Sequence, residues 1–231
     1  MPDRTPSPPP STVSDTPADS PTSKRAVPLG PPSPQVAPAV PRHAASLLVL
    51  RPGRTTEVLM GMRGAGHKFM PNRLVFPGGR VDPEDHAADV ATPLSDNVRR
   101  LLARSADEAL ARALGIAAAR ELEEETGLTL GLPPSLHGLD YLCRAITPES
   151  SPMRFDARFL VVEAEHVSGQ LAGSGELEDL SWYTLEEALA RSSPPTNQVL
   201  DQLMLWMALD EAQRLHRAMV PTLRNRGWEM E

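Results

Sequence analysis

The sequence predicts an α/β fold of the α+β kind, in which a mixed β-sheet is sandwiched between helices. Short apolar runs bounded by Gly and Pro recur along the chain. One long segment rich in Ala, Leu, Arg and Glu ends at a glycine, and an amphipathic segment lies near the C-terminus. Strands before, between and after two long helices are typical of a mixed sheet covered by helices.

The first 41 residues differ from the rest of the chain in composition. They contain 13 of the 25 prolines and almost no large apolar residues. Such a segment buries too little surface to offset chain entropy. We therefore predict a disordered Pro/Ser-rich tail over residues 1–41 and a folded domain over residues 42–231. The tail could bind a protein partner through polyproline stretches, although a solvated tail is the simpler interpretation.

The folded domain begins with a predicted β-hairpin. Its two apolar runs, residues 45–51 and 57–63, flank the turn sequence Pro-Gly-Arg-Thr-Thr. A third short strand over residues 74–76 is predicted to stop at the glycine turn after Pro77. Further strands are predicted over residues 139–147, 154–163 and 180–183.

Four helices are predicted from propensity, caps and periodicity. A short helix should begin near Asp96, and a second should run over residues 107–125 and stop at Gly127. Another short helix is expected over residues 185–191. The amphipathic pattern of residues 197–218 predicts a helix that closes the chain against the sheet.

Charge and composition exclude several classes of protein. The formal charge is −7, and a protein that binds nucleic acid generally carries an excess of Lys and Arg. A single cysteine, Cys143, excludes an intramolecular disulfide and a cysteine metal cluster. No apolar run approaches the ~20 residues of a membrane span. We expect a cytoplasmic protein that binds neither nucleic acid nor membrane.

The end of the long helix places three carboxylates on one face. Successive helical residues turn by about 100°, so Glu121, Glu124 and Glu125 lie together while Glu123 points away. Each like-charge pair costs a few tenths of a kcal/mol. A hard divalent cation with oxygen ligands would compensate this repulsion. A solvated acidic helix end is the alternative when the charge run is considered alone.

A glycine-rich segment upstream gives these carboxylates a context. Phe76-Pro77-Gly78-Gly79 leads from a predicted strand into a run of acidic residues. The two segments resemble the Nudix box, Gly-x5-Glu-x7-Arg-Glu-U-x-Glu-Glu-x-Gly-U, where U is apolar. Gly79 fits the leading glycine. The second half is fitted by Arg120, Glu121, Leu122, Glu124, Glu125, Gly127 and Leu128.

The sequence departs from this pattern at two points. Asp85 stands where the box has its first glutamate, and 34 residues rather than 7 separate it from Arg120. The difference is an insertion of 27 residues, which we place at about residues 86–112. A loop that leaves and returns at the head of the helix could hold this insertion without moving the carboxylates.

The resemblance implies an activity and a metal. Nudix enzymes hydrolyse a diphosphate linked to another group, usually in nucleoside diphosphate compounds, with Mg²⁺ or Mn²⁺. The sequence Phe69-Met70-Pro71 together with the interrupted box is similar to the branch that contains eukaryotic coenzyme A diphosphatases. By that likeness, coenzyme A or a CoA ester is the favoured substrate among nucleotide-type small molecules. The implied metal ligands are Glu121, Glu124, Glu125 and a carbonyl oxygen of Gly78 or Gly79.

The resemblance also implies roles for the remaining residues. Glu121 is our choice for the base that takes a proton from the attacking water, and Arg120 would hold a box glutamate in place. The candidates for substrate binding are Arg63, Arg80 and Phe69. Glu176 and Glu178 could add a ligand or base, although exposed loop acids are the favoured interpretation of both.

Two other classes of function remain open at this point. The chain could be a catalytically inactive Nudix-fold module that binds nucleotides or other proteins, but such modules usually lose box glutamates and none of the three is missing. It could also act as a scaffold through its Pro-rich tail. A homodimer is one open alternative for its assembly.

Overall fold

A computed structural model describes residues 39–64 and 72–231. Most of the predicted Pro-rich tail and the candidate residue Phe69 lie outside these ranges. The strands are β1 (Arg42–Arg51), β2 (Glu57–Arg63), β3 (Leu74–Val75), β4 (Gly78–Arg80), β5 (Leu128–Thr129), β6 (Asp140–Ile146), β7 (Phe155–Glu163), β8 (Ser168–Gly169), β9 (Leu177–Thr184), β10 (Pro221–Arg224) and β11 (Gly227–Met230). The helices are α1 (Asp96–Leu102), α2 (Glu108–Thr126), α3 (Leu185–Arg191), α4 (Pro194–Met207) and α5 (Glu211–Leu215).

In the described residues, nine strands form one mixed sheet. The order is β11-β10-β6-β7-β1-β2-β3, with β4 paired to β1 and β9 paired to β2. The β1–β7 and β6–β10 pairs are parallel, whereas the β1–β2, β2–β9 and β6–β7 pairs are antiparallel. The short strands β5 and β8 form a separate antiparallel pair. The predicted mixed sheet is therefore confirmed.

Helices cover both faces of the sheet because the central strand β1 alternates its side chains between two apolar cores. Leu47 packs on one side in a cluster with Leu122 of α2 and Leu101 of α1. Leu48 packs on the other side in a cluster with Leu200 of α4. Fully burying each such leucine contributes about 1.5–3 kcal/mol. No helix in the described part of the chain is long and apolar enough to cross a membrane.

The insertion in the box folds into helical structure. Ser95 accepts a hydrogen bond from Val98 N–H and caps α1, close to the predicted start. Asp107 likewise caps α2, and the helix stops at Gly127, whose left-handed φ of 71° a glycine adopts without strain. The predicted α2 is thus confirmed to within a residue at each end. Its first turn lies inside the region that we assigned to the insertion.

The prediction of one closing helix over residues 197–218 is wrong. Helix α4 ends at Met207, and Asp210 caps the separate short helix α5 through a hydrogen bond from Gln213 N–H. The hairpin of β10 and β11 follows. Its turn uses Asn225 and Arg226, both with positive φ (50° and 68°), instead of a recognisable Asn-Gly.

The expected glycine turn after Pro77 is also corrected by the structure. Gly78 and Gly79 belong to strand β4, which pairs antiparallel with Ser46 and Ala45 of β1. The sequence suggests a turn because glycine is rare in strands. Here the glycines allow a close approach of the backbone to α2 and β1, as their contacts show.

Candidate active site

The three glutamates at the end of α2 differ strongly in exposure. Glu125 is 4% exposed, and the side chains of Glu121 and Glu124 are 13% and 57% exposed. Leu122 and Thr126, on the neighbouring face, are fully buried and hold the helix against the sheet. The helix therefore presents two largely shielded carboxylates and one that solvent reaches.

Strand β4 fixes the most buried of these carboxylates. The backbone N–H of Gly78 donates to Oε2 of Glu125 at 2.8 Å. Gly78 has a φ of 155°, and a Cβ there would lie 2.6 Å from the carbonyl oxygen of Ala45 and from Cα of Ser46. Only glycine fits this position, because the contacts are with the backbone of β1.

Gly79 lies directly against the carboxylate of Glu121. A Cβ at Gly79 would overlap the Oε1 and Cδ atoms of Glu121. The missing side chain therefore leaves room for the carboxylate beside the backbone of β4. Together the two glycines explain how the upstream half of the motif meets the helix.

Arg120 links the two halves of the motif across the insertion. Its Nε and Nη2 donate to the two carboxylate oxygens of Asp85 at 3.0 and 3.1 Å. Its Nη1 donates to Glu121 at 2.9 Å and to Glu124 at 3.0 Å. Nη2 also donates to the carbonyl oxygen of Arg80 at 3.1 Å. The hydrogen bonds to Asp85 raise the pKa of Arg120 most, so the guanidinium stays charged.

Burial makes the two shielded carboxylates hard to ionise. It raises the pKa of Glu125 to about 7 against the opposing hydrogen bond from Gly78, and the charges of Glu121 and Glu176 raise it further. Arg63 opposes this effect, which indicates that its charge acts on the same site. Burial also raises the pKa of Glu121 in spite of its bond to Arg120.

Arg80, the single cysteine and two aromatic residues are placed differently from the carboxylates. Nε of Arg80 lies 3.0 Å from an oxygen of Asp82, and the Arg80 side chain is 58% exposed, so this pair competes with any substrate. Cys143 is fully buried in β6, and burial raises the pKa of its thiol. Tyr141 is a core residue, and Trp182 packs on the core with the Arg51 guanidinium 4.5 Å from its ring centre.

The oxygen atoms around Arg120 are of the kind that a hard divalent cation prefers. In the residues that the structure describes, no three His, Cys, Asp or Glu side chains are arranged to bind one ion. Arg120 neutralises Glu121 and Glu124, so an ion would compete with it for both. The residues nevertheless fit such an ion, because all the donors are oxygens and Gly79 leaves the Glu121 carboxylate unobstructed by a side chain.

Two further acids, Asp85 and Glu176, act on this cluster. The sequence assigns no role to Asp85 because of the insertion, yet it is 1% exposed and is the two-oxygen partner of Arg120. The signal available in the sequence was the position of Asp85, which stands where the Nudix box has its first glutamate. Glu176 is an exposed loop acid, as expected from the sequence, and its charge raises the pKa of both Glu121 and Glu125. No local pattern indicates this, because the fold brings the loop to the helix.

The fold, together with the glycine-containing strand β4 that packs against the acidic end of α2, defines a class of protein, the α/β domains of the Nudix type. Residues 111–207 match the family model described as NUDIX domain. A crystal structure of a NUDIX hydrolase from Alicyclobacillus acidocaldarius is 26% identical, with a TM-score of 0.55, over 70% of this chain and 90% of that chain. Residues 111–207 therefore match a Nudix domain, and the fold of the chain is a Nudix fold.

A curated relative agrees with this assignment over a shorter segment. A Caenorhabditis elegans protein described as "Putative nudix hydrolase 7" is 41% identical over 87 residues, which are 38% of this chain. The match spans 22% of that protein's length. The resemblance thus concerns a segment of that relative and not its whole length.

Replacing Gly79 by alanine tests the close approach of β4 to α2. The new Cβ would displace the flexible end of Glu121, so we expect little change in the melting temperature but a loss of activity of roughly 10- to 100-fold. Gly227→Ala is the matched control, because its Cβ would meet only the carbonyl oxygen of Arg224 at an ordinary 3.8 Å. Equal activity of the two variants would contradict the expectation.

Proposed function

We propose that the chain is a divalent-metal-dependent hydrolase that cleaves the diphosphate bond of a nucleoside diphosphate linked to another group. Coenzyme A or a CoA ester is the substrate that the sequence resemblance favours. The observation that supports this proposal is that the carboxylates of α2 lie against the glycine-containing strand β4. Glu125 accepts a hydrogen bond from the backbone N–H of Gly78 there. An acidic cluster with two largely shielded carboxylates gains from a multivalent cation and gains nothing from burial alone.

The metal ligands in this proposal are Glu121, Glu124, Glu125 and a carbonyl oxygen of Gly78 or Gly79. Bound Mg²⁺ or Mn²⁺ would supply charge neutralisation for the diphosphate and a more acidic water. Glu121 is proposed as the base that accepts the proton of the attacking water. Burial raises the pKa of Glu121 above its ordinary 4.5, and a stronger base accepts a proton more readily.

Arg120 acts in the proposal as an orienting residue. It holds Glu121 and Glu124 by charge-assisted hydrogen bonds and is itself anchored on Asp85. Arg63 is proposed to bind a phosphate, which is supported by its influence on the pKa of Glu125. Arg80 is a weaker candidate because Asp82 already pairs with it.

One observation favours the alternative of a catalytically inactive binding module. Arg120 neutralises two of the three box glutamates, and the described residues contain no assembled cation site. In that case nucleotide-type ligands would bind without turnover. The two functions differ in a single measurable property, the release of product.

Product release from a panel of compounds distinguishes the two functions. The panel contains coenzyme A, NADH, ADP-ribose, diadenosine polyphosphates and nucleoside triphosphates, each with Mg²⁺, with Mn²⁺ and with EDTA. We expect metal-dependent turnover of one class and its loss in Glu124→Gln, because a proposed ligand is removed. Binding without turnover by the folded protein would contradict the hydrolase and support the binding module.

A further inference from the structure

Arg112 joins the two ends of the insertion in the box. Nη1 of its guanidinium donates to the carbonyl oxygen of His86 at 3.3 Å, and Nη2 donates to the carbonyl oxygen of Ala88. His86 and Arg112 are the first and last residues of the 27-residue stretch that we assigned to the insertion. One side chain therefore closes this loop at the point where the chain leaves α2 and returns to it.

Arg120 holds the same segment a second time, further along α2. It donates to the carbonyl oxygen of Arg80 and to both carboxylate oxygens of Asp85. Arg112 lies eight residues before it on the helix, which is about 12 Å along the axis. The two arginines thus hold residues 80–88 on either side of Asp85.

The backbone between these two contacts is a short turn. Pro83–His86 form a single turn of 3₁₀ helix. The N–H of Ala88 donates to the carbonyl oxygen of Glu84 at 3.0 Å, and the N–H of Asp82 donates to the Asp85 carboxylate at 2.8 Å. A helical turn of this length is not stable alone. Its position therefore depends on the side chains that hold it.

Beyond Ala88 the insertion is bound to a different part of the molecule. The backbone N–H of Ala91 donates to the carbonyl oxygen of Pro134 at 2.9 Å, and the N–H of Leu136 donates to that of Thr92 at 3.0 Å. Both partners belong to the segment between β5 and β6. Arg112 stands between these attachments and the turn that carries Asp85, so it fixes the turn independently of the rest of the insertion.

The position of Asp85 decides how Arg120 divides its charge. Nε and Nη2 of Arg120 contact Asp85, and Nη1 contacts Glu121 and Glu124. If Asp85 moved away, the charge of the guanidinium would be shared by the two glutamates alone. These are proposed metal ligands, so a divalent cation would compete with a stronger internal partner and would bind less tightly.

We propose that Arg112 is a positioning residue, which joins the two ends of the insertion and so holds Asp85 against Arg120. Its effect on the chemistry is to leave Glu121 and Glu124 available to a divalent cation. This inference rests on the proposed hydrolase function. Arg112 itself touches no reacting group and acts through Asp85.

Hydrogen exchange in the metal-free protein tests the first part of this inference. Arg112→Gln removes both contacts, so we expect the amides of residues 85–88 to exchange at least about tenfold faster, while those of β1 and β7 keep their rates, because the opening is local. Arg99→Gln is the matched control. Arg99 lies in the same insertion, but it pairs with Asp96, whose side chain is 96% exposed. The control should exchange as the wild type does.

Mn²⁺ binding, followed by electron paramagnetic resonance, tests the second part. We expect the Kd of Arg112→Gln for Mn²⁺ to rise by about threefold to tenfold, less than the roughly 10- to 100-fold of a direct partner of a metal ligand. The sign of the change is diagnostic. Removing a positive charge would by itself favour the binding of a cation. Weaker binding therefore requires the displacement of Asp85, and Arg99→Gln should not show it.

A double-mutant cycle with Asp85→Asn tests the path of the effect. If Arg112 acts through Asp85, Arg112→Gln should weaken Mn²⁺ binding no further in the Asp85→Asn background. Additive losses would overturn the inference. So would an Arg112→Gln variant with an unchanged Kd, or one whose faster exchange extends to β1 and β7, and these two outcomes need no second substitution. A folded wild type that turns over none of the panel would instead overturn the proposed function, and the inference that rests on it.

Discussion

Glu125→Gln should lower the rate of hydrolysis by more than about 100-fold. A loss of about 100-fold is the upper range for groups that only support a metal ligand. The same substitution should make the metal-free protein more stable. The substitution removes the most buried carboxylate of α2 but keeps an oxygen that can accept the hydrogen bond from Gly78 N–H. Loss of activity and gain of stability in one variant would mark a residue retained for function.

The gain in stability has a predictable pH dependence. The pKa of Glu125 is raised in the fold to about 7 from an ordinary 4.5, so ionising it destabilises the native state as the pH rises through this range. Glutamine resembles the protonated form. In EDTA the variant should therefore be more stable than the wild type by about 1–3 kcal/mol at pH 8, and the difference should shrink towards pH 5.

Urea unfolding at the two pH values and turnover with Mg²⁺ measure both parts of this prediction. Glu123→Gln is the matched control, because Glu123 is exposed on the opposite side of the same helix turn. It should change neither the activity nor the pH dependence. If Glu125→Gln were as active as this control, Glu125 would have no part in the chemistry, and the proposed metal site would be wrong.

The parts of the site that were predictable from the sequence are those encoded locally. The helical spacing of Glu121, Glu124 and Glu125 and the stop at Gly127 lie within one continuous segment. The position of β4 was not predictable, because two glycines favour a turn until the strand finds β1 as its partner. Propensity is overridden here by pairing between segments distant in sequence.

The same distinction explains the missed elements near the C-terminus. Pro221 argues against a strand, but it occupies the first position of β10, where a missing N–H is tolerated. The amphipathic pattern continues past Met207, yet the cap at Asp210 starts a new helix. The link between Arg120 and Asp85 crosses 34 residues, so spacing alone could not show it.

Asp156→Asn should cause a large loss of stability away from the site. Arg158 is fully buried in β7, and its Nη1 lies 2.8 Å from Oδ2 of Asp156. Arg144 also donates to both carboxylate oxygens of Asp156, at 2.7 and 2.9 Å. Removing the shared anion leaves a buried guanidinium without its neutralising charge, which costs about 3–5 kcal/mol.

The pH dependence of this loss identifies its cause. Burial opposes the ionisation of Asp156, but the hydrogen bonds from Arg144 and the charge of Arg158 outweigh it and lower the pKa below its ordinary 3.8. A lowered pKa contributes stability that is present above the ordinary value and is lost as the pH falls through the folded one. The difference between the wild type and Asp156→Asn should therefore be constant from pH 5 to 8, as measured by urea unfolding, and should shrink below about pH 4.

An exposed ion pair provides the comparison for Asp156. Nε of Arg224 lies 2.8 Å from Oε1 of Glu229, but the two side chains are 46% and 51% exposed. Glu229→Gln should change the free energy of unfolding by less than about 1 kcal/mol. Equal effects of the two substitutions would mean that water reaches the Arg158 guanidinium. The Arg158 guanidinium would then be solvated, and its charge would not need Asp156 as an internal partner.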